Sequence, residues 1–180
     1  MGAGDDWVVD ATAEAVRRLL EHAGKVGLAN TEEFTLRAMF MAAAHDRLTA
    51  AGRQPRFHTE WHHFDLLIQV DDDNTVIEFK YYLLRHTTGL HGEFLSYKGG
   101  ASLQNEREFD NCVTKLRTLV PAGIGDARLV LVYGTDTKPA GIRSFHHSYA
   151  TLASTNDLDV APVWVDDDRL AAMVLRPHRP

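Results

Sequence analysis

The sequence predicts an α/β fold, on three observations. Helix-periodic segments alternate with strand-periodic ones along the chain. Residues 56–84 hold three consecutive strand patterns, the last two joined by an aspartate-rich turn. Residues 128–133 (Arg-Leu-Val-Leu-Val-Tyr) are apolar on both faces, as suits a central strand covered on both sides. The expected order is a helix, three strands, a helix and a strand, with an extra helix in front and a further helix and strand behind.

Each element has its own signal. Residues 7–23 read as a helix, because Val8, Ala11, Ala15, Leu19 and Ala23 recur at helical spacing and Gly24 and Gly27 follow. Asn30 is expected to cap a second helix, with Glu33 three residues on in capping-box position. That helix runs to about Thr49, and its segment 39–44 (Met-Phe-Met-Ala-Ala-Ala) is apolar nearly all round, which predicts burial rather than a surface position. Strands follow at 56–61, 64–70 and 75–84, with a bend at His62-His63 and a turn at residues 71–74. Residues 85–101 read as a long loop, of a length often given over to function. Ser102 is the expected cap of a helix through Leu119, with Phe109, Val113, Leu116 and Val120 on its core side. A helix near 141–153, a strand at 160–165 and a last short helix capped by residues 166–168 complete the expectation.

Composition narrows the function classes. The chain has 180 residues, 44% hydrophobic and 24% charged, which suits one globular domain able to bury a sizeable core. With one cysteine, Cys112, an internal disulfide and a cysteine-based zinc cluster are both excluded, and a reducing, cytoplasmic setting is expected. The net charge of -6, from 19 basic and 25 acidic residues, gives no whole-surface attraction to nucleic acid or to anionic membrane. Residues 1–10 carry no positive stretch of a signal peptide, and no apolar run approaches the ~18 residues of a membrane span.

The hairpin at 64–84 carries the chemistry. A turn centred between Asp72 and Asp73 sets Asp65 opposite Lys80 and Leu67 opposite Glu78. Alternation then puts Asp65, Glu78 and Lys80 on one face, and Phe64, Leu66, Ile68, Val70, Ile77, Phe79, Tyr81 and Leu83 on the other, which is the core face. A two-residue shift of the turn preserves this; a one-residue bulge breaks it. Two carboxylates so close repel unless a cation lies between them. Mg²⁺ takes such oxygen ligands together with waters and substrate phosphate. A lysine beside it orients or deprotonates the attacking water, and the ion stabilises charge on a phosphoryl oxygen. These parts suit phosphodiester hydrolysis.

Asp65 followed by Glu78-Phe79-Lys80 resembles the D…(D/E)xK motif of the PD-(D/E)XK nuclease superfamily, which includes many restriction endonucleases and Holliday-junction resolvases. The resemblance covers residues 30–133, whose expected order is similar to the family's restriction-endonuclease-like αβββαβ core, a mixed central sheet flanked by helices. Residues 1–29 would be an N-terminal helix and 134–180 a C-terminal extension of the same domain. One departure is that Phe64, not proline, precedes Asp65. The resemblance implies Mg²⁺, or Mn²⁺ in its place, held by Asp65 and Glu78, with Lys80 serving the water and Glu33 an auxiliary ligand, Glu32 being the close alternative. It also implies cleavage of nucleic acid, DNA above all, that leaves a 5′-phosphate. A homodimer or a subunit of a larger complex fits a chain with no separate recognition domain. Gln104, near the start of the following helix, is the candidate for a supporting polar residue.

Blander readings stand beside these. Asp65, Gln69, Glu78 and Lys80 also read as a solvated strand face, with Glu78 and Lys80 as a surface ion pair. Glu33 serves equally as the capping-box partner of Asn30. Glu60, near the end of the strand before Asp65, is a candidate further ligand, with an ordinary strand-end carboxylate as the preferred reading. Gln104, Arg107 or Glu108, Asn111 and Lys115 share a helix face that either tracks a phosphate backbone or is merely solvated. Arg85, His86, His91 and Lys98 make the 85–101 segment locally basic and are candidates to contact substrate phosphates, with a merely solvated loop as the preferred reading. Cys112 reads as packing. A histidine-metal ββα nuclease is disfavoured, because residues 101–119 contain no His. A catalytically inactive module of the same fold, binding nucleic acid or a protein partner, is the alternative from another class.

Overall fold

Asp6 caps the first helix, its side chain accepting the Val8 N–H at 3.2 Å, and α1 runs Trp7–Val26. Val8, Ala11, Ala15, Leu19 and Ala23 form its buried stripe. Gly27, at φ +87°, ends it with its N–H on the Ala23 carbonyl, a conformation that favours glycine. The computed structural model describes residues 6–83, 85–98, 103–135, 149, 151, 152, 154 and 157–178, with backbone only for 85–88 and 94–98.

The second helix, α2 (Glu33–Ala50), starts later than Asn30. Asn30 instead closes a short 3₁₀ turn, Leu28–Asn30, and its side chain donates to the Val26 carbonyl at 2.6 Å. Glu32 takes the cap position, and Thr35 Oγ1 accepts its N–H at 3.3 Å. The expectation of a wholly buried segment also fails: Leu36, Phe40, Ala43, Ala44 and Leu48 are buried, whereas Ala42 is exposed. Alanine is small enough to sit on either side of a helix, so an alanine run does not define a face. Phe40 packs edge-on against Phe79 at 5.2 Å and 71°, and each such buried ring contributes about 2 kcal/mol.

The strands β1 (Pro55–Trp61), β2 (Phe64–Val70) and β3 (Asp73–Tyr82) form an antiparallel meander. Asp71 takes φ +54°, which aspartate tolerates, so the β2–β3 turn closes over residues 71 and 72 and Val70 pairs with Asp73. The register is therefore two residues tighter than expected, and the sharing of faces is preserved. The segment expected as a loop holds a separate hairpin, β4 (Arg85–Thr88) with β5 (Phe94–Lys98). Then come α3 (Leu103–Thr118), β6 (Asp126–Gly134), β7 (Leu158–Val163) and β8 (Leu170–Pro177). Ser102 and most of the helix expected at 141–153 lie outside the described residues. No helix follows residues 166–168: Asp167 Oδ1 accepts the Arg169 N–H at 2.8 Å and the chain enters β8. A short apolar run suits helix or strand alike, and the ladders to β6 and β7 decide it.

The result is an α/β fold with a six-stranded mixed sheet in the order β1-β2-β3-β6-β8-β7, only β3 and β6 being parallel. On one face α1 and α2 pack on Leu66, Ile68, Ile77, Phe79, Val130 and Val132. On the other, Phe109, Val113 and Leu116 of α3 pack on Leu67, Val76, Leu129 and Leu131. Phe64 belongs to this second cluster, against the expectation from alternation, because it leaves the β1–β2 turn beside Trp61. Among the described residues, no helix is long and apolar enough to cross a membrane.

Candidate active site

β2 begins at Phe64, whereas β3 continues to Tyr82 along its ladder with β6. The last residues of β3 thus outrun β2, and side-chain carboxylates meet the backbone there. Asp65 Oδ2 accepts the Phe79 N–H at 2.8 Å, and Glu33 Oε2 accepts that of Tyr81 at 3.3 Å. Glu78 Oε1 in turn accepts the Asp65 N–H at 3.1 Å. Continued by one step, the β2–β3 register sets Asp65 across from Glu78, and both side chains fall on the α3 side of the sheet.

Cations from three elements close around them. Lys80 Nζ lies 3.5 Å from Glu33 Oε2, while Lys115 Nζ of α3 lies 2.7 Å from Glu78 Oε1 and donates to the His63 carbonyl at 2.6 Å. Arg37 Nη1 stands 3.7 Å from Asp65 Oδ1 and pairs with Glu60. The solvated-face reading is thereby overturned: Glu78 is only 2% exposed, and its ion-pair partner is Lys115 rather than Lys80.

Burial sets the charge states. Desolvation raises the Glu33 carboxyl above its ordinary range, with Lys80 opposing and the Asp65 charge assisting. Desolvation likewise raises Glu78, helped by Asp65 and opposed by Lys115. For Lys80 burial acts downward, but the charges of Glu33, Asp65 and Glu78 oppose it, and the ammonium is held above its ordinary value. Cys112, whose Sγ is 3.7 Å from Glu78 Oε2, is pushed up to about 11 by burial, so it is a thiol at neutral pH and no nucleophile.

The residues singled out from sequence divide into groups. Glu33, Asp65, Glu78 and Lys80 come together, and Glu33 is the inward member of its pair, Glu32 being exposed at the helix cap. Glu60 sits at the rim, exposed, at φ +52°, and reaches Asp65 only through Arg37. Gln104 is exposed on α3, where it donates to Glu108 Oε1 at 3.0 Å; Lys115 and Cys112 are the α3 residues that reach Glu78. Arg85 and Lys98 pair across the β4–β5 ladder, and their side chains lie outside the described residues. Arg37 had no sequence reading, although its spacing of four from Glu33 puts both on one helix face. Lys115 and Cys112 were visible as residues of α3, but only the packing of α3 on the sheet aims them at Glu78.

The donor set fits a hard divalent ion. Asp65 Oδ1, 3.7 Å from Arg37 Nη1, and Glu78 Oε2, which accepts from Cys112 Sγ at 3.7 Å, are carboxylate oxygens of the kind Mg²⁺ takes beside water. Among the described residues no three His, Cys, Asp or Glu side chains form a ready-made metal group. No family model, curated protein or solved structure matches the chain.

Proposed function

We propose that the chain is a divalent-metal-dependent nuclease that hydrolyses phosphodiester bonds, with DNA as the first substrate to test. The observation that carries this reading is the meeting of Asp65, Glu78 and Lys80 on one sheet face where β3 outruns β2. The order α2, β1, β2, β3, α3, β6, with β3 and β6 parallel, supports a restriction-endonuclease-like core, interrupted by the β4–β5 hairpin.

Asp65 and Glu78 would hold Mg²⁺ or Mn²⁺, and the ion would supply Lewis-acid stabilisation of charge on the phosphoryl oxygens. Lys80, kept charged by its acidic neighbours, orients the attacking water by donating to it and answers the negative charge as it develops. An ammonium has no lone pair to take a proton, so Lys80 is a donor here and not the general base. Glu33 fixes where that ammonium stands. Arg37 offers a second cation to the phosphate. Incubation of the full chain with plasmid and single-stranded DNA in Mg²⁺ or Mn²⁺ tests the reading. Cleavage is expected, and its persistence unchanged in both Asp65→Ala and Lys80→Ala would reject it.

One observation favours a second reading. Lys115 already neutralises buried Glu78 at 2.7 Å, as a non-catalytic binding module of this fold would need. Calorimetric titration with Mg²⁺ separates the two: retained binding of nucleic acid without any divalent-ion binding decides for the module.

A further inference from the structure

Phe34 has no part in the core. It falls outside the buried stripe of α2 and is 67% exposed. Isolated exposed apolar side chains are ordinary, so the weight lies in what surrounds this one. It follows Glu33 directly. The Arg37 guanidinium stands over its ring, 4.7 Å from the centroid. The same guanidinium reaches Asp65 Oδ1 at 3.7 Å and the Asp65 carbonyl at 3.4 Å. A single side chain therefore links an exposed ring to the carboxylate pair. From the β1–β2 side the buried Phe64 ring, stacked on Trp61 at 6.4 Å, carries Lys115 at 5.4 Å, so it braces that cation and is itself closed to a ligand.

An exposed ring paired with a cation thus stands beside Asp65, and a second cation, Lys115, reaches Glu78 from α3. Surfaces of this composition hold single strands, since the rings stack on bases while the cations take phosphates. A paired base in a duplex keeps both its faces inside the stack, and only an unpaired base offers one to a protein ring. We propose that Phe34 is a stacking site for an unpaired nucleobase beside the scissile phosphodiester, and that the site therefore takes single-stranded nucleic acid in preference to duplex. This rests on the nuclease reading and adds its substrate class. Arg37 holds the ring from one side and meets the adjoining phosphate.

The test compares fluorescence anisotropy of a labelled oligothymidylate and of a duplex of equal length, both in Mg²⁺. The full chain carries Lys80→Ala to prevent turnover. Phe34→Ala is expected to weaken single-strand binding roughly 5- to 150-fold, the range of one lost base–aromatic stack, and to leave duplex binding within about twofold. Phe34→Trp should restore it. Trp164→Ala, which removes a 78% exposed ring from the loop after β7, should change neither. Equal affinity for single strand and duplex, an effect of Phe34→Ala on both alike, or the same loss in Trp164→Ala overturns the inference and leaves the nuclease reading standing. Absence of cleavage of either form by the unsubstituted chain, with both metals, overturns the nuclease reading and the inference together.

Discussion

The β2–β3 hairpin carries acidic groups at both ends, and the two ends behave differently. At the turn, Asp71 and Asp73 are 63% and 81% exposed in their side chains and share Arg53 at 3.0 and 3.1 Å. At the open end, Asp65 and the buried Glu78 are joined by Glu33, with Lys80, Lys115 and Arg37 around them. The residue types are the same; the solvent is not. Water screens the turn carboxylates, so their arrangement is loose and weakly coupled. Desolvation at the other end makes every charge depend on its neighbours, which is the condition for binding an ion or stabilising a reaction.

The contrast is most directly broken by exchanging equivalent substitutions between the two ends. Asp65→Asn or Lys80→Ala should lower the initial rate of DNA cleavage by about 10²- to 10³-fold or more, while Asp73→Asn leaves it within about twofold. Equal losses at the two ends would show that the turn matters to the chemistry as much as the buried cluster does. Next in size is the loss of a counter-ion. Lys115→Met strands the Glu78 charge in the interior and should lower unfolding stability in urea by about 3 kcal/mol. A loss below about 1 kcal/mol would mean that Glu78 is solvated after all.

The pH dependence sharpens the comparison further. Folding raises the Glu33 and Glu78 carboxyls, so the folded state holds their protons more tightly than the unfolded chain does. Their contribution to stability is therefore greatest below the ordinary glutamate range and falls as pH rises through the raised values. Glu78→Gln should flatten that fall in a series of urea titrations across pH. Ion binding runs the other way, since it needs both carboxylates ionised. Mg²⁺ at ten times its dissociation constant should stabilise the chain by about 1.4 kcal/mol above the raised values and by less below them. Thermal melts at two pH values read this difference, and a Mg²⁺ effect that grows toward acid pH would contradict it. Smallest is the turn itself: Arg53→Ala should lower stability by less than about 1 kcal/mol, less again at high salt.

Much of the site was legible because strand alternation is local. Asp65, Glu78 and Lys80 share a face under either register, so the two-residue error in the turn did no harm. It arose because Asp71 accepts a left-handed conformation and lets the turn close early. The cap of α2 falls elsewhere for a related reason: Asn30 has the residue type of a cap but is taken up by the 3₁₀ turn that follows α1, and Glu32 becomes the cap through its exchange with Thr35. The β4–β5 hairpin was missed because its residues 85–98 mix polar, glycine and aromatic positions without clean alternation.

Local pattern by itself determined which side chains of the hairpin lie together, since each residue's face follows from its neighbours a few positions away. Which charge answers which was decided only by the tertiary structure. Lys80, next but one to Glu78, pairs with Glu33 of another element, and Glu78 is neutralised from α3 by Lys115. Coulomb attraction and desolvation act through space over a few ångströms, so they depend on how helices seat against the sheet and leave no periodic trace in the chain.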